Sequence, residues 1–369
     1  MKIAIVEAIG GHGGMDYYDY GLAMGLAANN CQIWIYTCDK TKLRNFKNVN
    51  TIIEFKDLWS NNFVVKGFKY LKYHFSSFHK CKLDKIDIVH LHFFTFRVID
   101  YLILLKAKYD GFKVVVTVHD VNSFDNSSNN YIEKKCYKLI DGVIFHNNFS
   151  YETFKKKNIL IHNYAIIPHG NYIPFINSIS HIENKVFTIL FFGQIKKVKG
   201  LDILLNAVKK IKSKGYKLNL IIAGKPWKSD LNDYTEMIKD LDINDMVTTN
   251  FRYIEDSEVA EFYSKADLII LPYRRIFQSG VLLLSMSYGK PVLCSNLQAF
   301  KNLIKNKETG FLFKNEDSDD LADAIICIMD NPKLLNEVSI NAYNYIKKYH
   351  NWEIIGENTS SFYKELLNK

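Results

Sequence analysis

The sequence predicts an α/β protein of two Rossmann-like, doubly wound domains in tandem. Short runs rich in Val and Ile alternate with amphipathic stretches along most of the 369 residues, as in parallel sheets whose two faces are covered by helices. The chain is also too long for one typical core. The alternation lapses once, in a segment rich in Gly, Pro, Asn and Ser that we predict to be a linker at 171–185.

The first predicted domain spans residues 1–170, and its apolar runs predict six strands. These runs are short and nearly continuous, which is typical of buried parallel strands. The predicted strands are Ile3–Ala8, Gln32–Thr37, Ile86–His92, Val114–His119, Gly142–His146 and Ala165–Pro168. The clearest helical patterns between them cover Met15–Asn29 and Asn130–Leu139.

A second series of the same kind predicts a domain at 186–350. Its predicted strands are Phe187–Phe192, Leu218–Ala223, Val247–Phe251, Leu268–Leu271 and Pro291–Cys294. Its predicted helices begin near Gly200, Asp230, Asp256, Gly280 and Asp317. The remaining residues, 351–369, form an amphipathic helical pattern, and we expect this helix to pack back on the first domain.

The positive charge of the chain is unevenly distributed. Of the formal net charge of +9, residues 1–170 carry +7, and the excess is densest at Lys66–Lys85, which holds six Lys, one Asp and interleaved aromatic residues. Such a segment suits an anionic membrane surface, and an ordinary solvated helix with a loop is the alternative. The aromatic residues do not form a known base-stacking module, so no nucleic-acid partner is expected.

The six cysteines are scattered and include no C-x-x-C pair, which favours small buried thiols in a reducing compartment. The N-terminus lacks the pattern of a signal peptide, and no stretch of about 18 uninterrupted apolar residues occurs. The sequence therefore predicts a cytoplasmic protein. Contact with the inner face of the plasma membrane would be peripheral, through Lys66–Lys85.

A glycine-rich turn joins the first predicted strand to the first helix. Gly10, Gly11, Gly13 and Gly14 would let a ligand approach the backbone closely, and the helix N-terminus supplies free N–H groups. The spacing is not G-x-G-x-x-G, and no clear ribose-binding acid ends the second strand, so a nicotinamide dinucleotide is disfavoured. A tight turn without a ligand is the alternative.

His119, with Asp120 after it, stands at the carboxyl end of a predicted strand, where open α/β sheets bind ligands. We therefore predict a functional role for His119 and an orienting role for Asp120. His90 and His92 alternate between the faces of the preceding strand. A His-x-His pair without a third ligand nearby is weak evidence for a metal, so no metal site is predicted.

Basic loops precede two helices of the second domain. After Gly193, a loop with Lys196, Lys197 and Lys199 leads into the helix at Gly200, and ammonium groups beside a helix N-terminus suit a phosphate group. The pattern is not a Walker A loop. A solvated lysine loop is the alternative.

The second basic loop carries Arg274 and Arg275 and leads to Ser279, Gly280 and Val281 at the start of an apolar helix. The amides after Gly280 and the two arginines predict a further contact to the same anionic group. Surface arginines without a ligand are the alternative.

In their order and spacing these motifs resemble those of the GT-B glycosyltransferases, most closely the nucleotide-sugar-dependent group called family 4, over essentially the whole chain. The resemblance implies two Rossmann-like domains that face each other across a cleft. The matching residues are Gly13 and Gly14; Thr117, His119 and Asp120; Ile167–Gly170; Gly193, Lys199 and Gly200; Ala266, Asp267 and Pro272; Gly289, Pro291 and Val292; and Thr309–Phe313.

The sequence departs from the family pattern at the donor site. The arginine of the family's diphosphate loop is Gln194 here, and the family's Glu-x7-Glu pair, which contacts the donor sugar and the ribose, falls on Phe277 and Ser285. A serine offers only a neutral hydrogen bond in place of a charge-assisted one. The side chains expected to take over contacts are Gln278, Ser279, Arg274 and Arg275.

The resemblance implies transfer of a hexose from a UDP- or GDP-linked donor to a hydroxyl of a glycan or lipid-linked acceptor in bacterial surface polysaccharide or glycoconjugate synthesis, with retention of configuration and no required cofactor or metal. Lys199 would be the main cation for the leaving diphosphate. His119 would hydrogen-bond the donor sugar, and Asp16 would be the base if configuration were inverted. The predicted donor-binding residues are Gly13, Gly14, Gln194, Lys199, Arg274, Arg275, Ser279, Gly280, Val281 and Ser285.

Two other hypotheses about the function remain open from the sequence. A non-catalytic GT-B protein that binds an active transferase would explain the missing carboxylates. A sugar-nucleotide epimerase on the same fold would turn over the donor without any acceptor.

Overall fold

The computed structural model describes residues 1–11, 14–58, 62–93, 95–121, 130–180, 182–227 and 231–369. These residues form two compact units. Unit 1 comprises Met1–Gly170 and His350–Lys369, and unit 2 comprises Asn171–Tyr349.

Unit 1 is built on a parallel sheet. Its elements before unit 2 are β1 (Lys2–Val6), α1 (Met15–Ala28), β2 (Gln32–Cys38), β3 (Val49–Phe55), α2 (Phe63–Leu83), β4 (Ile88–His92), α3 (Val98–Tyr109), β5 (Lys113–Val118), α4 (Asn130–Tyr137), β6 (Gly142–Phe145), α5 (Asn148–Lys155) and β7 (Tyr164–Ile166). The strand order is β3-β2-β1-β4-β5-β6-β7. Because the order reverses between β1 and β4, the carboxyl ends of these strands form the edge where such sheets bind ligands.

The strands of unit 1 follow from their residue types. β4 and β6 are buried along their whole length, as expected for central strands of a parallel sheet. β6 is apolar throughout, whereas β4 also buries His90 and His92. β3 was not predicted, because this edge strand mixes polar and apolar residues and is buried only at its last two positions, Glu54 and Phe55.

Unit 2 repeats the architecture. Its elements are β8 (Thr188–Phe192), α6 (Leu201–Ser213), β9 (Asn219–Ala223), α7 (Leu231–Asp240), β10 (Val247–Asn250), α8 (Asp256–Ser264), β11 (Leu268–Leu271), α9 (Gly280–Ser287), β12 (Val292–Ser295), α10 (Gln298–Lys301), β13 (Phe311–Phe313), α11 (Ser318–Met329) and α12 (Pro332–Tyr349). The sheet is parallel, with the order β10-β9-β8-β11-β12-β13. The predicted fold class is confirmed, since each unit is a doubly wound parallel sheet.

Residues 171–185, predicted as a linker, belong to unit 2. The Asn171 side-chain amide donates to the Ile346 carbonyl at 3.2 Å, and the Tyr172 N–H donates to the Ser287 hydroxyl at 2.9 Å. The start of this segment is irregular in sequence but ordered by hydrogen bonds to α9 and α12.

The last helix, α13 (Trp352–Leu367), packs against α1 within unit 1. A Cβ atom at Gly21 would lie 2.1 Å from the Trp352 ring, and one at Gly356 would lie 2.1 Å from the backbone of Gly25. Glycine at these positions therefore permits the two helices to approach closely.

Among the helices of the described residues, none combines the length and apolar character needed to cross a membrane.

Candidate functional site

Two loops of unit 2 meet at the carboxyl ends of β8 and β11, where the strand order reverses. The Arg274 N–H in the loop after β11 donates to the Val198 carbonyl in the loop after β8 at 2.8 Å. A Cβ atom at Gly200, whose φ is +68°, would lie 2.0 Å from the Pro272 carbonyl oxygen, so a side chain would be excluded there. These contacts hold the two loops together as one surface.

Lys199 supplies the positive charge of this surface. Its Nζ atom lies 5.1 Å from the centre of the Tyr273 ring and 3.6 Å from the place of a Cβ atom at Gly193. Burial, with Lys196 as a nearby like charge, lowers the pKa of Lys199 to about 8. In the described part of the chain no carboxylate forms an ion pair with this ammonium group, so its charge is available to an anionic ligand.

The N-terminus of α9 adds hydrogen-bond donors. The Ser279 hydroxyl accepts from the Leu282 N–H at 3.2 Å, which leaves the amides of Gly280 and Val281 without acceptors inside the helix. A Cβ atom at Gly280 would lie 2.9 Å from the Tyr172 hydroxyl. Bare amides at the positive end of a helix attract an anion.

Arg274 forms an ion pair within unit 2. Its two terminal nitrogens donate to the two carboxylate oxygens of Asp202 at 2.8 and 2.6 Å, and one of them also donates to the Lys197 carbonyl at 2.8 Å. Such a bidentate pair occupies the guanidinium fork. Arg274 therefore clamps the loop after β11 onto the start of α6, and its contact with a diphosphate stays a prediction.

Ser285 stands where a ribose-binding carboxylate was expected, and its contact with a donor stays a prediction. Its buried hydroxyl donates to the Val281 carbonyl at 2.7 Å and pairs with the Tyr263 hydroxyl at 3.2 Å. Phe277, at the other carboxylate position, is 4% exposed. Both side chains are buried in unit 2, and the hydrogen bonds of Ser285 are made there rather than to a nucleotide.

The other predicted contacts in these loops lie at the surface. Gln194 and Arg275 have exposed side chains, and their contacts with a donor stay predictions. Gln278, just before the helix cap, carries a buried Oε1 atom without a hydrogen-bond partner among the described residues. An unpaired buried acceptor is unusual, and Gln278 is one of the side chains expected from the sequence to contact the donor.

In unit 1, the glycine-rich turn packs against the turn after β2. A Cβ atom at Gly10 would lie 2.2 Å from Thr37 Oγ1, and one at Gly11 would lie 2.1 Å from a backbone carbonyl oxygen of that turn. Gly14 precedes α1 with a φ of 81°. Gly13 lies outside the described residues. Packing and backbone conformation thus account for the described glycines, which is the alternative that the sequence left open.

Asp16 lies in the first turn of α1 and is 6% exposed. Its backbone N–H donates to the Gly10 carbonyl at 3.1 Å. Burial raises the pKa of the nearby Asp19 carboxyl well above its usual value, and the charges of Glu7 and Asp16 raise it further. The Asp16 carboxylate therefore lies in an acidic and largely buried setting. Its role as a base stays a prediction.

Histidines occupy the carboxyl ends of three neighbouring strands of unit 1. β4 ends at His92, and β5 and β6 are followed at once by His119 and His146. Their rings form a chain: His92 Nδ1 lies 3.1 Å from His119 Nε2, and His119 Nδ1 lies 3.2 Å from His146 Nε2. His146 Nδ1 lies 3.1 Å from the Ile167 carbonyl oxygen, which ends the chain.

The Ile167 carbonyl sets the direction of this chain, because a carbonyl oxygen can only accept. His146 must therefore carry its proton on Nδ1, so its Nε2 accepts from His119 Nδ1, and His119 Nε2 accepts from His92 Nδ1. Burial lowers the pKa of His146 to about 3 and the pKa values of His119 and His92 well below the usual value. The three rings are therefore neutral at physiological pH.

Both ring nitrogens of the half-buried His119 are thus used by neighbouring histidines. His119 therefore belongs to this internal chain, and its hydrogen bond to a donor sugar stays a prediction. Sequence reasoning missed His146, although a signal was present: three successive predicted strands, ending at His92, His119 and His146, each terminate in histidine.

Tyr18 of α1 stands at the centre of the cluster. Its ring lies 4.8–5.4 Å from four histidine rings, those of His92, His119, His146 and His169. Its hydroxyl lies 3.3 Å from Thr117 Oγ1, and Thr117 also pairs with His90 Nε2 at 2.8 Å. The Tyr363 hydroxyl of α13 lies 2.6 Å from His90 Nδ1, on the other ring nitrogen of that histidine.

The chain as a whole matches solved structures of one fold class. HepE from Anabaena, solved in complex with UDP, aligns with a TM-score of 0.75 at 14% identity, over 99% of this chain and 100% of that one. Two doubly wound units with this strand order place the protein among the GT-B glycosyltransferase folds, as the sequence predicted.

Comparison of the sequence with protein-family models identifies the family to which the chain belongs. Residues 12–170 match the model described as Glycosyltransferase Family 4, and residues 173–345 match the model described as Glycosyl transferases group 1. The chain belongs to the group 1 glycosyltransferases and is a transferase, so the predicted family and enzyme class are confirmed.

Two relatives illustrate the family. GDP-mannose:glycolipid 4-beta-D-mannosyltransferase of Xanthomonas campestris pv. campestris is 23% identical over 269 residues, 67% of this chain and 72% of the relative. The capsular polysaccharide biosynthesis glycosyltransferase CapM of Staphylococcus aureus is 24% identical over 187 residues, 50% of this chain and 47% of the relative.

Breaking the Arg274–Asp202 pair should destabilise unit 2. We expect Arg274→Ala and Asp202→Ala each to lower the free energy of unfolding by about 1–2 kcal/mol, because each leaves a partly buried charge unpaired. The double variant should lose less than the sum of the two, with a coupling energy of about 1 kcal/mol. Denaturant titration of the four proteins measures this. The more exposed Arg252–Glu258 pair is the control and should show weaker coupling, whereas additive losses at 274 and 202 would contradict the clamp.

Acidification should destabilise unit 1 through His146. Its folded pKa of about 3 lies below the ordinary value, so its contribution is fully present above about pH 6.5 and is lost as the unfolded state takes up a proton below that pH. The loss between about pH 7.5 and about pH 5.5 is about 1.4 kcal/mol.

The free energy of unfolding should fall less with acidification in the variant His146→Gln than in the wild type. Between these two pH values the fall should be smaller by about 1.4 kcal/mol, as measured by denaturant titration. His79→Gln, at an exposed position, is the matched control and should behave as the wild type. A His146→Gln variant with the full pH dependence of the wild type would contradict the assignment of a neutral buried ring.

Proposed function

We propose that the protein transfers a hexose from a UDP- or GDP-linked donor to a hydroxyl group of a glycan or lipid-linked acceptor in the synthesis of surface polysaccharide or glycoconjugates. The observation that carries the proposal is Lys199. Its ammonium group has no carboxylate partner among the described residues, and it lies beside Gly193, which the Val281 side chain of α9 also approaches. The relatives give support, because HepE was solved with UDP and the Xanthomonas enzyme is named for GDP-mannose and a glycolipid.

Lys199 and the amides of Gly280 and Val281 would carry the charge of the leaving diphosphate. As the glycosidic bond breaks, negative charge gathers on the nucleoside diphosphate, and donors already fixed in place stabilise it. A bound diphosphate also raises the pKa of Lys199 from about 8, because a nearby opposite charge favours the ammonium form. The lysine is therefore cationic when the donor is bound.

The donor sugar and ribose need partners other than the two missing carboxylates. Gln278 is the candidate, because its Oε1 atom is a buried acceptor without a partner among the described residues and it directly precedes the Ser279 cap. An amide oxygen in this place would accept one hydrogen bond from a sugar hydroxyl.

We place the reaction among the retaining transfers. In a front-face mechanism the leaving phosphate takes the proton of the acceptor hydroxyl, so no protein base is required. The residue expected to act as a base under inversion, Asp16, is 6% exposed, and this burial favours retention.

A lipid-linked acceptor fits the surface of α2 and α3, which pack against each other. The segment Lys66–Lys85 falls within and just after α2, and large apolar side chains are exposed beside its lysines. An apolar surface flanked by lysines suits an anionic membrane. The exposed side chains are Val64, Val65, Phe68, Phe75, Leu83, Val98, Leu102, Leu105 and Tyr109.

Replacing Lys199 by Met should lower kcat/KM for the donor by roughly a hundredfold or more, because the main positive charge at the diphosphate is removed. Nucleoside diphosphate released from a panel of UDP- and GDP-linked hexoses, with extracted glycans and glycolipids as acceptors, measures this. Lys209→Met, at an exposed position on α6 outside this loop, is the matched control and should stay within about twofold of the wild type.

Near-wild-type turnover in Lys199→Met would contradict the proposed site. Conversion of the donor sugar without any acceptor would indicate an epimerase. Tight nucleotide binding without release of nucleoside diphosphate from any donor would contradict the proposed transfer.

Removing apolar side chains from α2 should weaken binding to anionic vesicles. We expect the double variant Val64→Ser and Phe68→Ser to bind vesicles that contain phosphatidylglycerol roughly tenfold more weakly, because each side chain loses apolar burial. Co-sedimentation with vesicles measures this. Leu160→Ser, at an exposed apolar position outside both helices, should bind as the wild type does. A wild type that does not bind the vesicles would contradict the membrane proposal.

A further inference from the structure

Three side chains of metal-ligand type converge at the ligand edge of unit 1. Glu7 directly follows β1, Asp19 belongs to α1, and His92 ends β4. The residues are 1%, 1% and 5% exposed, and one ligand atom from each lies within 4.8 Å of the others. The neighbouring strands β1 and β4 and the helix α1, which follows β1, bring these three residues together.

The polar atoms of this cluster lack partners. Among the described residues, Glu7 Oε2, both carboxylate oxygens of Asp19 and His92 Nε2 are buried without a hydrogen bond, whereas Glu7 Oε1 accepts from the Ile9 N–H at 2.7 Å. Buried polar atoms are normally paired, and leaving them unpaired is unfavourable. Several such atoms in one place indicate that a ligand belongs there.

The direction of the histidine chain makes His92 Nε2 an acceptor. His92 donates its Nδ1 proton to His119, because the chain runs toward the Ile167 carbonyl. The neutral His92 ring therefore presents a lone pair on Nε2 to the carboxyl groups of Asp19 and Glu7. The cluster consists of acceptors that face one another, and a cation satisfies all of them at once.

The spacing of these atoms also fits a shared cation. His92 Nε2 lies 3.4 Å from Asp19 Oδ1, which is longer than an ordinary hydrogen bond. Two ligands bound to a tetrahedral zinc ion at their usual distances lie about 3.4 Å apart. The hydrogen bond from the other ring nitrogen of His92 to His119 is the second contact that metal-binding histidines usually make.

We infer that Glu7, Asp19 and His92 bind one zinc ion. One imidazole and two carboxylates are a ligand set that zinc accepts. The ion would tie β1, α1 and β4 together and hold His92 in the orientation that supports His119. The inference is independent of the proposed donor site, which lies in unit 2 and contains none of these residues.

The competing arrangement is a pair of protonated carboxyl groups that donate into the cluster without a metal. Metal binding by the full-length chain, with any affinity tag removed, separates the two. After dialysis against a chelator, the chain is titrated with zinc chloride by calorimetry, and its bound zinc is measured by elemental analysis. We expect about one zinc ion per chain and a higher thermal midpoint in its presence.

The variants Glu7→Gln, Asp19→Asn and His92→Gln should each weaken zinc binding by roughly a hundredfold or more. Asp100→Asn is the matched control, because Asp100 is a buried carboxylate of unit 1 on α3 outside the cluster. This variant should keep one zinc ion per chain even if it is less stable.

A wild-type chain that takes up neither zinc, cobalt nor manganese would overturn the inference. So would zinc uptake that persists unchanged in all three ligand variants, which would place the ion elsewhere. If a ligand variant does not fold, the spectrum of the cobalt-loaded wild type decides. Coordination by nitrogen and oxygen supports the site, and a thiolate charge-transfer band contradicts it.

Discussion

One hydrogen-bond acceptor, the Ile167 carbonyl oxygen, governs the chemistry of the edge of unit 1. It cannot donate, so the protons of His146, His119 and His92 are all directed toward it. The far end of the chain is then a nitrogen lone pair that faces two carboxyl groups. A single backbone group thus fixes the tautomers of three histidines. It also leaves a hydrogen-bond acceptor of His92 facing the carboxyl groups of Asp19 and Glu7. Burial enforces the arrangement, because a protonated ring would be costly there.

The edge of unit 2 has the opposite character. Where unit 1 gathers acceptors, unit 2 presents the ammonium group of Lys199, in the loop after β8, and the bare amides at the start of α9. The Arg274–Asp202 pair neutralises two charges beside this surface, and no carboxylate among the described residues forms an ion pair with Lys199. Two sheets of similar topology therefore offer different chemistry at the same topological position, because the residues after the strands differ.

Much of the fold could be predicted from the sequence, because apolar runs and turn residues record the alternation of strand and helix locally. The edge strand β3 was not predicted because it is only partly buried. The hydrogen bonds of Asn171 and Tyr172, at the start of the predicted linker, were not predicted because their partners lie more than 100 residues away. At the site, the positions of Lys199, Ser279 and Gly280 follow from local motifs. The partners of Arg274 and His119 do not, since they lie 72 and 27 residues away in the sequence. The pairing of His92 with Asp19 and Glu7 likewise requires the strand order to be known.

The packing of α13 on α1 has a consequence for the order in which the protein is made. Unit 1 is discontinuous in sequence, and the helix that carries Trp352 and Tyr363 comes after all of unit 2. On the ribosome, the first 170 residues emerge early but lack the side chains that fill the spaces beside Gly21 and Gly170. Unit 2 has its complete sequence before that helix is synthesised, so the domain that is begun first is finished last. Until then the nascent first unit exposes apolar surface that a chaperone would recognise.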